Sequence, residues 1–388
     1  MQIRYKGCLL MKIMLLSDAA SIHTVRWAEF FARRGHEVHL LSFNSFIHPP
    51  PKGINLHKLK HISYIPIISP PLNLVLGILQ IRWLARKTQI DLLNAHYVST
   101  FGVLGSLSGI HPFVASAWGS DVLRLDRESS VRRQAVLFCL RAADVVTTTA
   151  IETRDYIINA FGLSPEKVMR IPWGIDLEIF HRGYTSDVAI LKRSLGLEPE
   201  MPVILSNRTL KENYMIESII NSIPKVLSEH PNTAFLFIRG YGTPEYEEKI
   251  TSKAKDMGII NNIRIISKLV SPEEMAVFLN ASNAFISLPK TDQFAGSIME
   301  GMACGSIPIL SNLSVYKQYL KDKENAFFVN PDDPEEIASA VNFCIDNPNI
   351  REKFYAINGK IIEEEEDWSN NAKKMEELFE ALTARRSH

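Results

Sequence analysis

Two carboxylates, Asp292 and Glu300, stand with seven residues between them in the run Thr291-Asp292-Gln293-Phe294-Ala295-Gly296-Ser297-Ile298-Met299-Glu300-Gly301-Met302-Ala303-Cys304-Gly305. The first falls in a loop. Small residues follow and a short helix opens, so the second lies about two turns further on at 3.6 residues per turn. Gly305 ends the helix, and the apolar run Ile307-Pro308-Ile309-Leu310 begins a strand. The amides of such a loop and first turn suit a diphosphate, held where the helix dipole is positive. Glu300 is then placed to accept hydrogen bonds from ribose hydroxyls, and Asp292 from sugar hydroxyls. That is chemistry for a nucleotide-sugar. The alternative is a strand–helix–strand unit whose acids are only solvated, since short motifs recur by chance.

The run resembles the E-x7-E signature of the retaining GT-B glycosyltransferases of family 4, usually Glu-Gly-Phe-Gly followed later by Glu-Ala-Met-Ala-Cys-Gly. Phe294, Glu300 and Met302-Ala303-Cys304-Gly305 match, while Asp292 stands at the first Glu, Ala295 at the second Gly and Gly301 at the Ala. Ile171-Pro172-Trp173-Gly174-Ile175-Asp176, with Phe180, resembles the family's Ile-Pro-Asn-Gly-Val-Asp linker, with Trp173 in place of Asn. The likeness covers nearly the whole chain from Met11. It implies an α/β protein of GT-B architecture, two Rossmann-like doubly wound domains facing a central cleft. The second domain is expected to bind a UDP- or GDP-sugar and the first an acceptor, with retention of anomeric configuration.

Carried over residue by residue, the resemblance puts Arg208 on the donor's phosphates. A guanidinium offers a planar fork to phosphate oxygens and stabilises the charge that grows on a leaving diphosphate. The family's Lys five residues later is Asn213 here, which leaves Lys211 as the shifted cation. Gly240 and Gly242 line the donor site, although turn chemistry alone also explains them. Leu269 meets the base. Asp292, Phe294, Ala295, Gly296, Ser297 and Glu300 complete the donor set, and the catalytic set is Asp292, Arg208 and Asp121. On the acceptor side stand Ala20 and Ser21, in the loop Ser17-Asp18-Ala19-Ala20-Ser21-Ile22-His23, which lacks the family's glycines. Ser21 also reads as a helix cap. Trp118 occupies the place of a frequent His-Gly pair. His96 reads either as a cleft group or as a structural histidine.

No D-x-D motif is evident, so no essential metal and no cofactor are expected; Arg208 and helix amides would supply the positive charge. Two rivals are a nucleotide-sugar epimerase of the same fold and a non-catalytic nucleotide-sugar-binding scaffold. The missing G-x-G-x-x-G in the first βαβ unit argues against an NAD dehydrogenase.

The chain has 388 residues, a length for two domains. Its 43 basic and 43 acidic residues balance, which argues against a nucleic-acid partner. Cys8, Cys139, Cys304 and Cys344 are scattered, without a metal or redox pair, and suit a reducing cytoplasm. Residues 1–10 read as a detachable leader, and no run of about twenty apolar residues spans a bilayer.

Strands alternate with helices in both halves, as a parallel doubly wound sheet requires. The first half is predicted to place strands at 12–17, 37–42, 91–95, 112–117, 144–149 and 168–172, with helices at 23–34, 131–142 and 152–161. After a polar linker over 173–200, strands are predicted at 202–206, 233–238, 263–267, 284–288, 307–311 and 326–329. Helices accompany them at 215–228, 245–257, 272–280, 297–303 and 335–345. The domains are expected at 11–178 and 200–365, with a final helix over 366–385 crossing back to the first. Glu363–Glu366 reads as a solvated face.

Residues 64–87 are apolar with a basic end, Arg82, Arg86 and Lys87 around Trp83. They read either as a helix packed on the sheet or as a segment lying in a membrane interface, with Arg124, Arg127, Arg132 and Arg133 extending the basic face. The second reading makes a lipid-linked glycan acceptor and the inner face of the cell membrane the expected partner and location.

Overall fold

A computed structural model describes residues 9–46, 51–60, 69–125, 129–292 and 294–385. The expectations that fall on residues 1–8, 64–68, Arg127 and Gln293 lie outside the described residues. The chain divides into two compact units: Met1–Trp173 with Ser369–His388, and Gly174–Trp368.

The first unit contains β1 (Lys12–Leu16), α1 (Ile22–Arg33), β2 (Glu37–Ser42), β3 (Ile54–Lys58), α2 (Ser69–Thr88), β4 (Leu92–His96), α3 (Val103–Ser108), β5 (Phe113–Ala117), α4 (Ser120–Leu123), α5 (Ser130–Ala142), β6 (Val145–Thr148), α6 (Ile151–Phe161) and β7 (Val168–Arg170). Its sheet is parallel, in the order β3-β2-β1-β4-β5-β6-β7. The order reverses at β1, so chain connections leave in both directions and helices cover both faces. Ile81 and Leu84 of α2, Leu104 of α3, Val136 and Leu140 of α5 and Ile157 of α6 share one core with the sheet. The chain's last helix, α14 (Trp368–Ala384), runs into the first unit from Ser369. There Phe379 stacks on Phe31, and Glu376 accepts from Arg34 Nη2 at 2.7 Å and His36 Nε2 at 2.8 Å.

The second unit contains α7 (Thr185–Ser194), β8 (Val203–Thr209), α8 (Ile216–Glu229), β9 (Ala234–Ile238), α9 (Pro244–Asp256), β10 (Ile263–Ile266), α10 (Pro272–Ala281), β11 (Ala284–Ser287), α11 (Gly296–Ala303), β12 (Ile307–Ser311), β13 (Phe327–Val329), α12 (Pro334–Asp346) and α13 (Ile350–Ile361). Its parallel sheet runs β10-β9-β8-β11-β12-β13. Local chemistry starts these helices where the chain needs them. Thr243 caps α9 ahead of Pro244, Ser271 and Glu274 form a reciprocal capping box on α10, and Asp333 caps α12.

The structure departs from the sequence reading in several places, and α3 and α4 are helices that the reading lacks. The linker over 173–200 contains α7, which fully buries no residue and leans on the core through the half-buried Leu191, so its polar majority hides the helical period. β3 is an edge strand, half-buried and carrying His57 and Lys58, and lacks the apolar run of a central strand. α13 follows α12 and was not foreseen. Ser21 takes the extended N-cap backbone of α1, but its hydroxyl makes no capping bond.

Candidate functional site

In the second unit the chemistry gathers at the carboxyl ends of four adjacent strands. Arg208 is the penultimate residue of β8, 8% exposed. Its Nη1 donates to Asp292 Oδ2 and to Ser297 Oγ, both at 3.0 Å. The guanidinium also lies 4.3 Å above the centre of the Tyr214 ring, where a cation is attracted by the ring's negative face. Asp292 Oδ2 accepts a second bond, 2.8 Å from the hydroxyl of the fully buried Tyr316. Burial, and then the neighbouring Asp292 carboxylate, push the Tyr316 hydroxyl well above its usual pKa, so it stays a donor.

α11 starts directly behind this pair. Ala295 is its N-cap, and the first helical bond runs from the Ile298 amide to the Ala295 carbonyl, so the amides of Gly296 and Ser297 precede it. Gly296 is exposed, and a Cβ placed on it would come no nearer than 3.8 Å to Glu300 Oε1, which puts the Glu300 carboxylate beside the open first turn. Asn207 fixes that turn: its Nδ2 donates to the Ser297 carbonyl at 2.6 Å. Its Oδ1 is buried without a hydrogen-bond partner, as is Ser287 Oγ on the paired strand end. Phe294 turns away and stacks on Tyr319, ring centres 4.5 Å apart.

Beyond β9, Gly240 adopts φ +55° and Gly242 approaches the Leu210 carbonyl so closely that a Cβ would lie 2.4 Å from its oxygen. Between them Tyr241 stands 78% exposed, and beyond β10 Leu269 stands 60% exposed. Arg239 bonds the Ser267 carbonyl and ties these two loops together. Lys211 is exposed at the start of the turn Glu212–Tyr214. Read in strand order β10-β9-β8-β11, the ends therefore carry apolar groups, then cations, then a carboxylate. Next along the same edge is a cavity of about 420 Å³ with Lys290, Ser311, Asn312 and Asn330 in its wall.

In the first unit the corresponding strand ends carry aromatic groups. Trp173 stacks on His23 at 3.8 Å and meets Trp118 edge-to-face at 5.0 Å. Burial, with the nearby Arg26 charge second, lowers the His23 pKa to about 4, so its ring is neutral at pH 7. Beneath this cluster His96 is completely buried. Nε2 lies 2.8 Å from Asn94 Oδ1 and Nδ1 lies 3.2 Å from Ser17 Oγ. Since an Asn oxygen only accepts, Nε2 carries the proton and Nδ1 accepts from Ser17. Burial, then the His23 charge, lowers its pKa to about 3. Asp121 is likewise inside, 3% exposed, accepting from the amides of Val98 at 2.6 Å and Trp118 at 2.9 Å. Burial raises its pKa to about 6, against the opposing pull of these amides. It thereby clamps the Trp118 loop to the turn after Tyr97, a residue held in the left-handed region at φ +65°.

Residues 12–150 match the family described as glycosyl transferase 4-like, and residues 187–375 match glycosyl transferases group 1. An uncharacterized glycosyltransferase of Methanocaldococcus jannaschii is 22% identical over 381 residues, covering 92% of this chain and 93% of that protein. The chain belongs to the group 1 glycosyltransferases. A D-inositol 3-phosphate glycosyltransferase of Acidothermus cellulolyticus is 27% identical over 217 residues, 54% of this chain, and the match spans about half that relative's length, 47%. The crystal structure of HepE from Anabaena in complex with UDP superposes with a TM-score of 0.77 at 16% identity, covering 96% of this chain and all of that one, and shows the GT-B fold.

Within this family frame the departures acquire physical reasons. At Gly301, where the signature in the sequence reading has Ala, Phe285 of β11 fills the space; a Cβ there would lie 2.3 Å from Phe285 Cε1. The glycine-free loop after β1 is held by side chains instead. Asp18 Oδ1 accepts from the Ala20 amide at 2.9 Å and from Asn44 Nδ2 at 3.0 Å, and the Ala19 amide donates to Ser42 Oγ at 2.9 Å. The amides of Ala19 and Ala20 are thus already engaged. The structure places the donor-set residues Arg208, Asp292, Ser297 and Glu300 together. Phe294, His96 and Asp121 instead pack or bond inward. Tyr316, Tyr214, Asn207 and Tyr241 join the site without having been singled out. Only Tyr241 left a trace, as the residue between two glycines after a strand.

Proposed function

We propose that this glycosyltransferase takes a hexosyl or N-acetylhexosaminyl group from a UDP- or GDP-sugar and passes it, with retention, to a hydroxyl of a lipid-linked or cell-surface glycan precursor. The observation that carries this reading is the order of chemistry along β10-β9-β8-β11. A nucleoside fits against Leu269 and Tyr241, a diphosphate against Arg208, Lys211 and the amides of Gly296 and Ser297, and a sugar against Asp292, with Glu300 facing the ribose. The solved HepE complex contains UDP, which supports this class of donor.

In this mechanism the bond from the anomeric carbon to the diphosphate oxygen breaks first, and its electron pair leaves with the phosphate. Arg208 and the α11 amides stabilise the oxyanion. Asp292 holds a sugar hydroxyl so that the ring reaches an oxocarbenium-like state in place. The acceptor hydroxyl attacks from the face that the phosphate leaves and gives its proton to the departing phosphate oxygen. We assign the charge stabilisation to Arg208 and the α11 amides, without an essential metal. Catalytic roles fall to Arg208 and Asp292; Asp121 is a positioning residue. The acceptor faces Trp118, Trp173 and His23. The buried thiols Cys139, Cys304 and Cys344 are unpaired, which supports work in a reducing cytoplasm.

A scaffold without turnover is favoured by one observation, the direct Arg208–Asp292 pair that occupies both functional groups at once. A thermal-shift screen with UDP, GDP, ADP and their sugar conjugates tests the donor, because a ligand of the native state stabilises it by mass action. Release of nucleoside diphosphate in the presence of glycan precursors then tests transfer. Selective stabilisation with release supports the enzyme; stabilisation without release supports the scaffold; no shift with any nucleotide contradicts both.

A further inference from the structure

The layer formed by α2, α3 and α5 contains no aspartate or glutamate, while the whole chain has 43. It carries six cations: Arg82, Arg86 and Lys87 on α2, and Arg132, Arg133 and Arg141 on α5. Of these, Arg82, Arg86, Lys87, Arg133 and Arg141 make no ion pair with any described carboxylate. A charge-balanced chain that concentrates one sign on one layer presents a field to a partner of the other sign.

The same layer is apolar on its outer side. α2 buries Ile81, Leu84 and Ala85 against the sheet, yet it also exposes Leu72, Val75, Leu79 and Trp83, by 45%, 52%, 54% and 60%. Their spacing of three, four and four residues lines one stripe of the helix, directed away from the core. Lys87 Nζ lies 4.9 Å over the Trp83 ring. On α5, Val131 and Phe138 stand two turns apart, exposed by 77% and 50%. α3 sits between the two helices: Leu104 touches the Gly77 position of α2, and the short turn before α3 packs Gly102 on Cys139 of α5. Both stripes thus flank one buried helix on one side of the first unit.

We infer that this α2–α5 face docks on an anionic lipid surface. Leu72, Val75, Leu79, Trp83 and Phe138 would enter the headgroup–acyl boundary, with the cations over the lipid phosphates. Charge decides the occupant. A second copy meeting this face would oppose six cations with six more. A nucleic acid would leave the apolar stripe in contact with phosphates. An anionic bilayer satisfies both components. No described helix is long and apolar enough to cross a membrane, so the contact is one of lying on the surface. This surface is independent of the donor chemistry, and nucleotide binding serves as the folding control.

The test is flotation of the full chain with vesicles of equal phosphatidylglycerol and phosphatidylcholine, against phosphatidylcholine alone, at low and high salt. Binding is expected to the anionic vesicles only, weakened by salt. R86S/K87S should lower partitioning roughly 25-fold, at roughly fivefold per cation. L79S/W83S should abolish stable binding, with the melting temperature and nucleotide-induced stabilisation unchanged. Absence of binding to anionic vesicles, equal binding to neutral ones, or binding untouched by both variants would overturn the inference. So would self-association without lipid that both variants abolish, because it would assign the face to a second copy.

Discussion

Replacing Asp292 by Asn separates the two halves of the donor site. The substitution keeps the size of the side chain and an oxygen for the Tyr316 hydroxyl, but removes the charge that faces Arg208 at 3.0 Å. At that distance, with an effective dielectric of about 20, the gross attraction is about 5 kcal/mol. Desolvation offsets most of it, because the two side chains are only 9% and 13% exposed, and the net value of such a charged hydrogen bond is about 2 kcal/mol. The ligand-free variant should therefore melt roughly 4–8 °C lower, using the scaling for domains of this size. Its diphosphate affinity should move the other way. In the parent, phosphate oxygens compete with Asp292 for the same guanidinium; in the variant they do not, and binding of the cognate nucleoside diphosphate should tighten about tenfold, or about 1.4 kcal/mol. Transfer should fall by about a hundredfold, because the sugar loses the anion that accepts its hydroxyl. Differential scanning fluorimetry, isothermal titration with UDP and GDP, and turnover read the three quantities separately. A variant that melts lower yet binds diphosphate no more tightly than the parent would refute the competition.

Gly301→Ala should cost about 1–3 kcal/mol through overpacking against Phe285, even though Ala is the better helix former by about 1 kcal/mol; the melting temperature should recover in G301A/F285L. Gly242→Ala should abolish nucleotide-induced stabilisation, since the Leu210 carbonyl leaves no space for the added carbon and the loop must move, which circular dichroism and thermal shift read together. His96 gives a pH signature. Its folded pKa of about 3 lies below the unfolded value of 6.5, so below pH 6.5 the unfolded chain binds the proton and the folded one does not. Stability from this group is full above 6.5 and is lost as pH falls, by about 2 kcal/mol at pH 5. Asp121 acts oppositely between about 4 and 6, where its raised pKa lets the folded state hold the extra proton. The variant His96→Gln should flatten the acid limb of a melting-temperature profile, and an unchanged limb would place its cause elsewhere.

Much of the fold was legible because its central strands are short, fully buried apolar runs. Ala234–Ile238 is such a run, and no helical period competes with it. Capped helices such as α10, opened by Ser271, Pro272 and Glu274, announce themselves locally. α7 and β3 were not legible, for the same reason in two forms: an element that fully buries no side chain does not impose a hydrophobic period on its sequence. At the site, the Asp292–Glu300 spacing spoke because both residues belong to one loop–helix unit. Tyr316 and Asn207 reach that unit from other strand ends, 24 and 90 residues away from their partners, and no spacing rule links them. Asp121 shows the converse. A carboxylate beside a site loop reads as chemistry in sequence, while its partners are the amides of Val98 and Trp118, visible only after folding.

The central claim is that a nucleotide-sugar lies across the ends of β10, β9, β8 and β11 with its ribose against Glu300. Isothermal titration of the cognate nucleoside diphosphate into the parent and into Glu300→Ala tests it most directly. Two lost hydrogen bonds to a charged acceptor predict a fall in affinity of about a hundredfold, roughly 3 kcal/mol, at an unchanged melting temperature of the free protein. Equal affinity in the two proteins would contradict the placement of the donor.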